Sequence, residues 1–153
     1  MSEVSPLNDE TYAMVDDVVA PTDTQPEGAH VVDYELQKLL SEGWHRYVAL
    51  VRERVGEVPA PVVKQITTMF DAECHGGDPL QRGVRAVSRT RRSYVLEEAL
   101  WQQGSGQVVA TSRVVMTGID RATGRAAEIP PGMWAAVEAI EGRTIETTER
   151  APT

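Results

Sequence analysis

Residues 22 to 34 read Thr22-Asp23-Thr24-Gln25-Pro26-Glu27-Gly28-Ala29-His30-Val31-Val32-Asp33-Tyr34, and the chain then runs unbroken through Glu35 to Val55. From Tyr34 onward the apolar residues are Leu36, Leu39, Leu40, Trp44, Tyr47, Val48, Leu50, Val51 and Val55. Steps of three and four dominate, which predicts a helix over 33–55. Asp33 is the residue type that caps a helix start, and Gly56 followed by Pro59 is a fitting stop. Gly43 falls in the middle, where it costs about 1 kcal/mol relative to Ala. Close approach of the helix to a sheet would compensate. The helix is apolar enough to be covered on most sides. An acidic, Gly-containing loop therefore delivers a helix N-terminus, where unpaired N–H groups and a partial positive charge suit a developing negative oxygen.

Outward from this helix the chain reads as strands. Thr11 to Val19 forms a first strand ending at Pro21, and Val62 to Glu73 is rich in Val, Ile and Thr. His75-Gly76-Gly77-Asp78-Pro79 is a turn. From Gly83 to Arg92, Val84, Ala86, Ser88 and Thr90 alternate with Arg85, Val87, Arg89 and Arg91, a strand period. Ser93 to Gln103 is a further strand, Gly104-Ser105-Gly106 a hairpin turn, and Gln107 to Ile119 a central strand. Pro130 and Pro131 introduce a short helix over 133–140. Consecutive strands joined by tight turns after one long helix give an α+β fold. We expect a strongly curved antiparallel sheet wrapped around helix 33–55. Residues 1–10 are expected to be disordered, 11–142 to form one domain, and 143–153 to be a loose polar tail.

Composition excludes several classes. At 153 residues one domain is natural. No apolar run approaches the roughly 20 residues of a membrane span, and Met1 to Glu10 lacks the pattern of a signal peptide, so the chain reads as cytoplasmic with no membrane partner. The net charge of −8 argues against a nucleic-acid binder. Cys74 is the single cysteine, read as an ordinary strand residue, and His30, His45 and Cys74-His75 show no zinc-type spacing, so neither metal nor cofactor is expected. Arg82, Arg85, Arg89, Arg91 and Arg92 form a run without an acid. Such a run either meets a small polyanion or guards an edge strand by charge.

The chain resembles a hotdog-fold thioesterase of the 4-hydroxybenzoyl-CoA thioesterase-like superfamily over roughly residues 11–140. Thr22 to Val31 is similar to the acidic loop of that family, commonly Asp-x-Asp-x-x-Gly-His-Val. Gly76-Gly77-Asp78 with Val84 onward, and Gly106 to Thr111 through Asp120 to Pro130, are similar to its later turns and strands. The resemblance implies hydrolysis of an acyl-CoA or acyl-carrier-protein thioester by a homo-oligomer, dimer or tetramer, with sites between subunits. With Gly28 laid on the loop glycine, Asp23 takes the first acidic position and Gln25 the second. That second position is often the catalytic carboxylate, and a neutral amide there cannot take a proton. Ala29 is also inserted between Gly28 and His30. The acid then comes from Asp23, Asp33 or Glu35. His30 binds the carbonyl or acts as an acid, and the backbone near Gly28, Val32 and Asp33 forms the oxyanion hole. Arg89, Arg91 and Arg92 are candidates for the CoA phosphates. Each candidate has a plainer role: Asp23 as a turn residue, Gln25 as an exposed loop residue, Asp33 as a cap, Glu35 as a charge favoured in a first turn. The competing function is a hotdog protein that binds acyl thioesters without cleaving them. A dehydratase is less well matched, because its His/Asp or His/Glu pair is not found in its usual setting.

Overall fold

The computed structural model describes residues 12–22 and 28–148. The long helix, α1, spans Asp33–Val55, as the periodicity predicts. Its Gly56 stop has φ 81° and returns its N–H to Arg52 O, a conformation that glycine reaches without steric cost. The N-terminus differs from expectation. Val32 is the cap residue, with no side-chain cap hydrogen bond among the described residues, and Asp33 is the first helical residue.

In chain order the other elements are β1 (Met14–Val19), β2 (Ala60–Phe70), β3 (Pro79–Arg89), β4 (Ser93–Gln102), β5 (Val108–Ile119), α2 (Pro131–Glu141) and β6 (Glu146–Thr147). The main sheet runs β1-β3-β4-β5-β2, with every neighbouring pair antiparallel. The fold is thus the hotdog α+β arrangement, a curved antiparallel sheet with one long helix against it. Several boundaries move, with β2 ending at Phe70 rather than Glu73 and β3 at Arg89 rather than Arg92. β3 starts at Pro79 rather than Gly83, because β1 pairs with it from Val19 opposite Pro79. The polar segment after Gly142 is not loose over its described part: Ile145 is 1% exposed, and β6 pairs parallel with β3. The inward Ile145 is joined by its N–H donating to Glu138 Oε2 at 2.9 Å and by Thr148 N–H donating to Arg89 O at 2.7 Å.

α1 lies across the sheet along Leu36, Leu40, Gly43, Trp44, Tyr47, Val48 and Val51, all buried. The other face carries the exposed Tyr34, Lys38, Glu42, His45, Arg46, Ala49 and Arg52, so within one chain α1 is covered on one side rather than most. The predicted close approach at Gly43 is present. A Cβ there would lie 2.8 Å from Glu98 Oε2, 2.9 Å from Arg82 Cδ and 3.1 Å from Val84 Cγ2. Only a residue without a Cβ lets the helix sit this deep.

Under α1 the core has two apolar halves, and Tyr12, Ala99 and Trp101 form a separate cluster. Leu36 and Leu40 pack with Leu80, Leu100 and Val109 under the first turns of α1. Trp44, Tyr47, Val48 and Val51 pack with Leu96, Met116 and Trp134 under the later turns. Polar residues lie between them. Arg82 is 2% exposed; its Nε and Nη2 donate to the Asp16 carboxylate at 3.0 and 2.6 Å and its Nη1 donates to Leu39 O at 2.7 Å. Glu98 stands between Leu96 and Leu100 in strand parity and is 1% exposed. Burial pushes its carboxyl up to about 8, with the nearby Arg82 charge pulling the other way.

The arginine run is dispersed by the strand. Arg82 turns inward, Arg85 pairs with Glu97 at 2.9 Å, and Arg91 pairs with Glu128. The register of β3 against β4 shifts between Ala86 and Ser88. After that irregularity Arg89 lies over the Trp134 ring, 4.7 Å from its centroid.

Candidate functional site

The first turn of α1 is where the loop, the helix and the end of β2 meet. Before it, Gly28 takes φ 84° and donates its N–H to Gly76 O at 3.0 Å, while Val31 N–H donates to Cys74 O at 3.0 Å. His30 and His75 form the backbone bridge between them. Two loops far apart in sequence are thereby zipped together beside the helix tip. Cys74 belongs to this loop, not to a strand, and is 1% exposed. Burial pushes its thiol up to about 11, so it is held as an unreactive thiol.

A cleft of about 440 Å³ opens at the tip, with Val31, Asp33 and Leu36 on one side and Phe70, Asp71 and Glu73 on the other. At its edge α1 supplies its N-terminal amides. The Val32, Asp33 and Tyr34 N–H groups donate to no backbone acceptor among the described residues, whereas Glu35 and Leu36 N–H already return to Val32 O. These are the unpaired donors of a helix start, at its partially positive end.

Around this cleft the candidates are placed as follows. Asp23 and Gln25 lie outside the described residues. His30 sits at the loop junction with its Nδ1 3.1 Å from Glu73 Oε2, and its ring meets His75 edge-on with centroids 4.5 Å apart. Val32 and Asp33 form the tip, with the Asp33 side chain exposed. Glu35 is buried at 8% exposure in the first turn. Arg89, Arg91 and Arg92 are not brought to the cleft of their own chain. They lie at the far end of β3 from Leu80, about 30 Å away at strand rise. Glu73, Asp71 and Phe70 carry no signal of a site in the sequence, where they read as the end of a strand. The His30–His75 bridge that draws them in is a long-range pairing with no local signature.

A larger cavity, about 720 Å³, lies at the other end of α1 between Arg52, Glu57, Asp120 and Arg121. It has neither a helix N-terminus nor an imidazole, so size alone does not make it the reactive centre. Among the described residues no group of three or more His, Cys, Asp or Glu could hold a metal ion, and no helix is long and apolar enough to cross a membrane.

Solved structures share this architecture. A thioesterase of Thermus thermophilus, determined with coenzyme A and zinc, superposes with a TM-score of 0.73 at 22% identity, covering 88% of this chain and 98% of that one. A 1,4-dihydroxy-2-naphthoyl-CoA thioesterase of Synechocystis gives 0.67 at 15% identity, covering 80% and 93%. The Staphylococcus aureus protein SAV2348, determined with CoA, gives 0.73 at 15% identity, covering 89% and 88%. At these identities the likeness is one of fold. No curated protein matches the chain by sequence. The family model described as the thioesterase-like superfamily matches residues 27–137, a span that takes in Gly28, the helix tip, the whole sheet from β2 to β5 and most of α2. On that match, and with the fold to go with it, the chain belongs to the thioesterase-like superfamily.

Proposed function

We propose that the protein is an acyl-CoA thioesterase that hydrolyses its substrate at the N-terminal tip of α1. The observation that carries this reading is the set of amides at Val32, Asp33 and Tyr34 beside a cleft that also holds Asp33, Glu73 and, at its edge, His30. A thioester carbonyl placed there would find donors for the oxygen that becomes negative as water adds. Asp23, on the loop just before, is the carboxylate candidate carried by the family loop, and Gln25 is suited to hold a water rather than to deprotonate it.

The site is completed by a second copy in this reading. β2 is an edge strand of eleven residues, and Val62, Ile66, Met69 and Phe70 on it are 45, 40, 61 and 49% exposed. A long apolar edge is a template for pairing. The opposite edge, β1, is short and carries Asp16 and Asp17. Antiparallel pairing of two β2 edges would set the start of the partner strand beside the end of this one. The partner's Arg52–Arg121 cavity would then adjoin the cleft, with its Arg91 and Arg92 at the same end of the sheet. Such an assembly has basic groups within reach of the CoA phosphates.

The test is thiol release from acetyl-, hexanoyl-, palmitoyl- and benzoyl-CoA. The reading expects turnover of at least one, and expects Asp23→Asn to lose most of it with the fold intact. Saturable binding of these thioesters with no thiol released by the wild type would favour the non-hydrolytic alternative, which the neutral Gln25 supports.

A further inference from the structure

We propose that Glu73 is a positioning residue that holds His30 as the base for water attack, an assignment that rests on the thioesterase reading above. Glu73 Oε2 lies 3.1 Å from His30 Nδ1, and Glu73 itself lines the cleft. His30 directly precedes Val31, which lines the same cleft. The pair is held from both sides by backbone: His30 is bridged to His75, and Val31 N–H and Gly28 N–H are tied to Cys74 O and Gly76 O.

The neighbouring imidazole marks the contrast. His75 faces His30 edge-on and has its own carboxylate, with Asp78 Oδ2 3.9 Å from its Nδ1. Asp78 is already engaged, accepting from His75 N–H at 2.9 Å and from the Gln102 amide at 3.0 Å. Hydrogen bonding from these two donors holds its carboxyl below the usual carboxylate range. Asp78 is not among the residues lining the cleft; Glu73 is. Of these two His–carboxylate pairs among the described residues, the His30 pair is the one whose carboxylate lines the cleft.

A carboxylate on Nδ1 keeps the proton on that nitrogen and leaves Nε2 with its lone pair. As water adds to the thioester carbonyl, a carbon–oxygen bond forms and Nε2 takes one water proton. The carbonyl electron pair moves onto the oxygen at the α1 amides. On collapse the carbon–sulfur bond breaks, its electrons leave on sulfur, and Nε2 gives its proton to that sulfur. A carboxylic acid and a thiol result and the imidazole is restored. No group beyond water and thioester is consumed; the proton that Gln25 cannot accept goes to His30, and Asp23, on the same loop, orients the water rather than deprotonating it.

The experiment is a double-mutant cycle on thiol release, using whichever CoA ester of the four is turned over fastest. His30 and Glu73 are 61 and 76% exposed, so the contact between them contributes little to stability. Glu73→Gln is therefore expected to keep the wild-type Tm and KM while kcat falls roughly 10-fold, and His30→Gln to lose about 100-fold or more. In the His30→Gln background, Glu73→Gln should cost nothing further. An unchanged kcat in Glu73→Gln overturns the assignment, as does the same fractional loss with and without His30. Absence of thiol release from the wild type overturns the thioesterase reading itself, and is told apart by being independent of either substitution.

Discussion

Arg82→Met is expected to lose about 3–5 kcal/mol of folding stability, the cost typical of removing one partner from a buried ion pair. The side chain of Arg82 is 3% exposed and that of Asp16 14%. Methionine fills similar space but leaves the Asp16 carboxylate with Arg46, a pair at 2.7 Å whose arginine is 61% exposed. It also strips Leu39 O of its 2.7 Å donor in the middle of α1. Against a total stability of roughly 5–15 kcal/mol such a loss is large. Urea unfolding at pH 7 measures it, and a change below about 1 kcal/mol would mean that Arg82 is not the link between β1, β3 and the helix. Replacing both charges, Arg82→Met with Asp16→Leu, should restore much of the loss, because no orphaned charge remains.

Glu98→Gln is expected to act in the opposite direction, and only at higher pH. Its folded carboxyl is raised from 4.5 to about 8, chiefly by burial. The folded protein therefore binds a proton that the unfolded chain gives up. Its stability is highest below the unfolded value near 4.5 and is lost as pH rises from there through about 8. Glutamine has the same shape and never ionises. Variant and wild type should match near pH 4, and the variant should be more stable by about 4 kcal/mol at pH 8, an order-of-magnitude figure from the linkage relation. Parallel stability–pH curves for the two proteins would show that Glu98 does not titrate over this range. Because Arg82 lowers the Glu98 value, the two substitutions should not be additive.

These two residues also mark what was hard to read in the sequence. α1 was legible to the residue because its apolar period holds over 23 positions and Gly56 ends it. The reason for Gly43 was legible too, since a mid-helix glycine needs a close neighbour to justify it, and Glu98, Arg82 and Val84 are that neighbour. The charges beneath were not. Arg82 read as part of a solvated basic run, although strand parity sets it on the face of Leu80 and Val84, both 0% exposed. Glu98 has the same parity as Leu96 and Leu100, so the alternation carried the signal while the residue type pointed outward. Asp33 read as the cap because aspartate prefers that position, yet the chain enters α1 through an extended Val32. Among the described residues, the end of the loop before it is tied by backbone pairing to residues 74–76. At the candidate site the helix tip and His30 were visible locally. Glu73 was not, because its place depends on a bridge between His30 and His75, forty-five positions apart. The edge status of β2 was equally hidden, since strand order in a sheet leaves no mark on a run such as Val62 to Phe70.

The central claim is that the backbone amides at the tip of α1 receive the negative oxygen, and one pair of variants tests it most directly. Asp33→Ala removes the carboxylate and keeps the N–H; Asp33→Pro removes both. Proline suits the first position of a helix, and Val32, at φ −77° and ψ 159°, already has the conformation that precedes a proline. Thiol release by Asp33→Pro is predicted to fall about 100-fold or more below that of Asp33→Ala, the loss expected for one oxyanion donor. Equal rates for the two variants, both folded, would contradict the account and move the chemistry away from the helix end.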